Sequence, residues 1–113
     1  MLGYRVTQRA TVGDDEAAIA RAVSAALERA DVVICTGGLG PTQDDFTKPV
    51  VARLFGVPLE VDQAIVDELL RRYARRGLTM SDRNISQAEV PRGATVLPNA
   101  RGTAPGLVLS TVE

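Results

Sequence analysis

Apolar positions along this chain recur in two periods, and the changes between them mark out its elements. Ile19, Val23, Ala26, Leu27 and Ala30 fall at three- and four-residue spacing. That spacing gathers them on one face of a helix over 15–30 and leaves Glu16, Arg21 and Glu28 to solvent. Asp14, just after Gly13, is placed to cap it. Residues 4–12 alternate imperfectly and carry Val6, Thr7, Thr11 and Val12, β-branched types that favour a strand. Val32, Val33, Ile34 and Cys35 are continuously apolar, the pattern of a strand over 31–36 that is covered on both faces. A second helix is expected over 47–55, with Val50, Val51, Leu54 and Phe55 inward and Gly56 as its stop. Residues 57–59 read as a connector. Asp62 caps a third helix over 63–76, where Ile65, Val66, Leu69, Leu70 and Tyr73 make the apolar stripe and Gly77 ends it. Ser81 or Asp82 starts a short helix through Gln87. A turn at 91–93, a strand over 95–97, a loop over 99–105 and a strand over 106–112 complete the chain.

Strands that alternate with helices predict an α/β fold with a mostly parallel sheet and helices on both faces. Right-handed crossovers then put the turn after 31–36 at the C-terminal sheet edge, where such folds bind ligands. That turn holds Gly37, Gly38 and Gly40, which permit positive φ and close approach of a ligand to the backbone. Thr47 is expected to cap the following helix, and Pro49 sits in its first turn, where a missing N–H costs little. The free N–H groups and the positive dipole end of a helix start favour phosphate. Asp44 and Asp45 stand at the same place. Carboxylates beside a phosphate imply a divalent cation or a sugar hydroxyl between the two. The same residues also serve simply to turn and cap the chain, and spacing alone does not separate the two readings. The segment lacks the Gly-Lys-Ser/Thr of a Walker loop and the spacing of a dinucleotide-binding fingerprint.

Composition narrows the chemistry. The 113 residues suit one small domain, and 45% apolar residues argue for a folded core. With 4% aromatic residues and no Trp, that core is built from Val, Leu, Ile and Ala. The net charge of −1 gives no electrostatic reason to expect nucleic acid. No apolar run reaches the roughly 18 residues of a membrane span, and the N-terminus lacks a signal-peptide pattern. One Cys excludes an intrachain disulfide and suits a reducing cytosol, and Cys35 reads as a small core residue of the 31–36 strand. The absence of His removes imidazole acid–base chemistry and His-ligated zinc. Catalysis would fall to carboxylates, hydroxyls, Arg or Lys, backbone donors and a hard cation on oxygen ligands.

The stretch TGGLGPTQDDFT resembles the TGG-x-G-x-x-x-x-D-x-T signature of the MoCF (molybdopterin-binding) domain. Its form with Leu39, Pro41 and Asp44-Asp45 is most similar to the N-terminal domain of CinA-like competence/damage-inducible proteins. Thr11-Val12-Gly13-Asp14 resembles the family's TVGD, Arg75-Arg76-Gly77 with Asn84 and Gln87 its RRG…N…QA segment, and 91–106 its P-x-GA-x-x-LPN-x-x-GTAPG stretch. The resemblance implies a three-layer α/β/α sandwich. Leu2-Gly3 matches the end of the family's first helix, so the first strand and most of that helix are expected to be missing. The later Pro-Gly-Val-Pro-like segment and the C-terminal deamidase domain are expected to be missing too. The chain thus reads as one partial domain over 1–113, without deamidase activity and with its own activity in question.

The resemblance also implies a function. CinA-like N-terminal domains are associated with metal-dependent pyrophosphatase activity on ADP-ribose-like dinucleotides, and their relatives bind or adenylylate molybdopterin. A non-catalytic binding or oligomerisation fragment is the remaining reading, since MoCF domains commonly form homo-oligomers. The expected ligand is a nucleotide or pterin phosphate, with Mg2+ as the expected cation. Asp45 matches the motif aspartate and is expected to hold the cation or orient a reacting group; Asp44 is its weaker partner. Thr36, Gly37, Gly38, Gly40 and Thr47 are expected to line the phosphate site, although a hydroxyl at 36 or 47 also serves strand or cap. Asn84 and Gln87 share one face of a short helix and would bond a base or sugar edge, or satisfy a loop. Gly102 and Thr103 belong to a small-residue loop expected as a second wall. Asp14 reads as a cap or as part of the site, the cap being favoured. Arg71, Arg72, Arg75 and Arg76 read as a phosphate-binding patch or, since they interleave with Leu69, Leu70 and Tyr73, more simply as a solvated face of the third helix.

Overall fold

The computed structural model describes residues 2–40, 43–102 and 104–110. Three α-helices carry the fold: α1 (Glu16–Arg29), α2 (Thr47–Leu54) and α3 (Gln63–Arg75). A 3-10 helix spans Asp82–Ala88, and four strands of three residues each are β1 (Leu59–Val61), β2 (Glu89–Pro91), β3 (Thr95–Leu97) and β4 (Gly106–Val108). None of the helices is long and apolar enough to cross a membrane.

Local chemistry sets the helix ends. The α1 cap is Asp15, one residue later than expected; its Oδ2 accepts from the Ala18 N–H at 3.0 Å. Asp62 caps α3 as its sequence position demands, its Oδ1 accepting from the N–H groups of Ala64 at 2.9 Å and Ile65 at 3.3 Å. The carboxylate takes the Ala64 N–H and shares the Ile65 N–H with the Asp62 carbonyl, so Asp62→Ala is expected to cost about 1 kcal/mol of stability, read as a lower urea midpoint. Gly77, at φ +67°, closes α3, and the Leu78 N–H reaches back to the Tyr73 carbonyl at 2.9 Å. Along the exposed face of α3, Glu68 accepts from Arg71 at 3.0 Å and Arg72 at 3.3 Å, and these bonds hold its carboxyl below the usual range. Arg71 is thus held at Glu68 on an exposed face, whereas Arg72, expected on that face, is half-buried.

The core lies where α2, α3, the 3-10 helix and β2 meet. Val50 and Ala52 of α2, Leu69 of α3, Ala88, Val90 and Pro91 are buried, with Ile19 of α1 joining them. β1 and β2 pair antiparallel, Glu60 opposite Val90, and two further bonds extend the ladder: Asp62 N–H to the Ala88 carbonyl at 2.8 Å and Arg92 N–H to the Pro58 carbonyl at 2.9 Å. The expected connector at 57–59 thus runs into a strand. β3 and β4 form a second antiparallel pair, Val96 opposite Leu107. The 95–97 strand stands where it is predicted; β4 ends at Val108, and 111 and 112 lie outside the described residues.

The α/β class holds, but the parallel sheet does not form among the described residues: both sheets are two-stranded and antiparallel. Residues 4–12 and 31–36 carry no regular structure. Their side chains face solvent, with Val32 57% and Ile34 86% exposed, and Cys35 is exposed rather than in a core. A strand exists only where a neighbouring edge takes up its N–H and C=O groups, and among the described residues no strand pairs with these segments. The radius of gyration, 15.2 Å, exceeds the roughly 13 Å of a fully compact chain of this length, in keeping with segments that stand off the core. Leu54 and Leu70, expected inward, are 37% and 48% exposed.

Candidate functional site

The glycine turn folds over the start of α2. Gly37 and Gly38 take φ of +92° and +70°, a region open to glycine and strained for other residues. Gly38 lies so close to α2 that a Cβ there would collide with the Thr47 hydroxyl, and its carbonyl accepts from the Thr47 N–H at 3.2 Å. Thr47 is thus the first residue of α2 and packs beneath the turn. Phe46 occupies the cap position without a side-chain bond, which corrects the expected cap. Gly40 sits against Asp45; a Cβ at 40 would come within 2.8 Å of Asp45 Oδ2. Both glycines are therefore required by close approach.

A cleft of about 300 Å3 opens beside this turn. Gly40 and Asp45 line it with Lys48 and Pro49 of α2, Ser86 of the 3-10 helix, Glu89 of β2 and Glu16 of α1, and Gln43, Phe46 and Leu59 also contribute. Lys48 is only 8% exposed. Its Nζ donates to the Ser86 carbonyl at 2.6 Å, a bond across 38 positions of sequence that ties α2 to the 3-10 helix. Burial pushes the Lys48 ammonium down from its usual pKa, and the nearby Glu89 opposes that shift. Glu16 pairs with Arg53 of α2 at 2.8 Å and joins α1 to this region.

The expected site residues divide between this cleft and other places. Gly38, Gly40, Asp45 and Thr47 come together at the start of α2. Thr36 and Gly37 lead into the turn and are exposed. Asp44 is exposed and is not among the cleft residues. Asn84 uses its Oδ1 to accept from the Ser81 N–H at 3.1 Å and the Ser81 hydroxyl at 2.9 Å, so it secures the start of the 3-10 helix. Gln87, 2% exposed, sits in the core with its Oε1 lacking a hydrogen-bond partner among the described residues. Gly102 is held elsewhere: its carbonyl accepts from Arg72, whose other nitrogen donates to the Asn99 carbonyl at 2.8 Å. The loop therefore packs on α3. Thr103 lies outside the described residues.

Sequence reasoning missed Lys48, Ser86, Glu89 and Glu16. Lys48 had one local signal, its place immediately after the motif threonine, and the other three carry none. Among the described residues no three His, Cys, Asp or Glu side chains gather as a metal cage. What the cleft offers is a glycine backbone, the carboxylates of Asp45, Glu16 and Glu89 and a buried ammonium around a space of small-molecule size.

Comparison with known proteins places the chain in a family. The profile of the family described as "Probable molybdopterin binding domain" matches residues 1–112. A putative competence-damage inducible protein of Symbiobacterium thermophilum is 50% identical over 108 residues, 96% of this chain and 25% of that protein. A CinA-like protein of Gemmatimonas aurantiaca is 49% identical over 109 residues, 96% of this chain and 26% of that one. The chain spans about a quarter of the length of such curated relatives. The crystal structure of the protein CinA from Thermoplasma acidophilum superposes with a TM-score of 0.82 at 35% identity, over 93% of this chain and 61% of that one.

Proposed function

This chain belongs to the family of probable molybdopterin-binding domains, and from that premise we propose that its cleft binds a phosphorylated pterin or nucleotide and hydrolyses a pyrophosphate bond within it. The observation that carries the reading is the seating of the glycine turn on α2, with Gly38 against Thr47 and Gly40 against Asp45. It brings backbone, helix start and motif carboxylate to one wall of the cleft. A small ligand with a phosphate is what such a wall recognises.

The donor set fits magnesium as it is usually bound, by one or two carboxylates together with substrate phosphates rather than by a protein cage. Asp45 would hold the ion, which supplies charge neutralisation at the phosphate when bound. The chain's own residues do the rest. The glycine turn positions the phosphate through its backbone. Asp45 orients the attacking water and accepts its proton. In an ADP-ribose-like dinucleotide the water oxygen joins one phosphorus, the bond from that phosphorus to the bridging oxygen breaks, and AMP and ribose 5-phosphate leave. The likeness in fold to CinA, with a TM-score of 0.82, further supports reading the chain as part of a three-layer α/β/α sandwich.

The test is a phosphorus NMR time course with ADP-ribose and magnesium. The parent chain is expected to release AMP, and Asp45→Ala to slow release about a hundredfold, a barrier increase of about 2.7 kcal/mol. Equal rates for the two proteins would remove Asp45 from the chemistry. Saturable ADP-ribose binding without any product would leave a binding domain and no hydrolase.

A further inference from the structure

Among the described residues Lys48 is the one charged side chain that is buried. Buried charges are ordinarily paired, because an uncompensated ion in a poorly solvated place is expensive. Lys48 has no carboxylate within ion-pair distance among the described residues. An ammonium carries three donors, and one is spent on the Ser86 carbonyl at 2.6 Å. Glu89 acts on it only through space. The side chain is rooted in the first turn of α2, next to the glycine turn, and both Lys48 and Ser86 line the cleft. The other charged groups lining that cleft, Glu16, Asp45 and Glu89, are acidic. Arg53, the nearby guanidinium, is already engaged by Glu16. An anion entering this space has one fixed protein cation to meet.

We propose that Lys48 is the ligand's phosphate-binding cation: anchored on the Ser86 carbonyl, it donates its remaining N–H bonds to a phosphate oxygen in the cleft. This rests on the reading that the cleft takes a phosphorylated small molecule. The Ser86 bond holds the ammonium in place before the ligand arrives, so binding orders no long side chain. It also gives the 3-10 helix a role, since that helix supplies the carbonyl which aims the lysine.

The experiment is calorimetric titration of the 113-residue chain with ADP-ribose in magnesium, beside Lys48→Met and Lys48→Arg. Lys48→Met keeps the apolar stem and removes the charge. It is expected to weaken ADP-ribose binding about tenfold to a hundredfold, the loss of one charge-assisted hydrogen bond. Lys48→Arg restores a cation and is expected to bind within about fivefold of the parent. Unchanged affinity in Lys48→Met overturns the proposal. Equal weakening in both variants also overturns it, because it would mean that lysine only props α2 against the 3-10 helix. A parent chain that binds no ADP-ribose takes away the reading of the cleft and this inference together, whereas a binding parent with an indifferent Lys48→Met removes the inference alone.

Discussion

Gly38→Val is expected to cost about 4 kcal/mol of folding stability and to dislodge the glycine turn from α2. Two separate effects add. A β-branched residue at φ +70° is strained by roughly 1–3 kcal/mol. Its Cβ would also enter the space of the Thr47 hydroxyl, with Thr47 Cβ at 3.0 Å and Thr47 N at 3.2 Å behind it, so the side chain cannot simply swing aside. Overpacking of this kind adds roughly 1–3 kcal/mol. Gly37 supplies the control. It has φ +92° but nothing within 4 Å of a Cβ, so Gly37→Val should show only the backbone part. Urea unfolding of the two variants separates strain from collision. Equal losses would mean that the contact between Gly38 and Thr47 contributes nothing. The larger loss at 38 should come with loss of ADP-ribose affinity, since the displaced turn is one wall of the cleft.

Leu69→Ala is expected to cost about 3 kcal/mol, within the roughly 2–5 kcal/mol seen when a buried leucine is truncated. Leu69 is 2% exposed and is the buried residue of α3, where that helix packs on the 3-10 helix. The cavity left behind would lie between two elements joined by few other buried side chains. Leu70 is its neighbour in the same apolar stripe but is 48% exposed. Leu70→Ala should therefore cost under about 1 kcal/mol. Denaturant midpoints with unchanged slopes would establish the difference as one of stability. A Leu70 variant as damaged as the Leu69 variant would show that the outer face of α3 is covered in solution.

Much of the local structure was legible because it depends on neighbours in sequence. Asp62 announces α3 since a carboxylate at that position meets the free N–H groups two and three residues on, and Gly77 announces its end since the stop needs positive φ. The strand at 95–97 stood out by its composition. The glycine turn and Asp45 were legible as a motif, and the structure gives the reason for two of its glycines: Thr47 and Asp45 occupy the space that a Cβ would need. β1 and β2 escaped notice because Pro58 and Pro91 made their surroundings read as a connector and a turn.

Sequence alone determined the helices, the cap and stop of α3, the glycine turn and the carboxylate beside it, because each is governed by contacts within a few residues; the caps of α1 and α2 fall one residue from where it put them. Tertiary structure decided the rest. Whether 4–12 and 31–36 become strands depends on an edge to pair with, and a hydrophobic pattern cannot supply one. Asn84 was drawn to the start of the 3-10 helix by Ser81, and Gly102 to α3 by an arginine 30 positions away. Lys48 reads as an ordinary surface residue until α2 meets the 3-10 helix and the Ser86 carbonyl takes hold of it. Burial of a charge is a property of the assembled elements, since only packing removes water from a side chain that every local rule would leave in it.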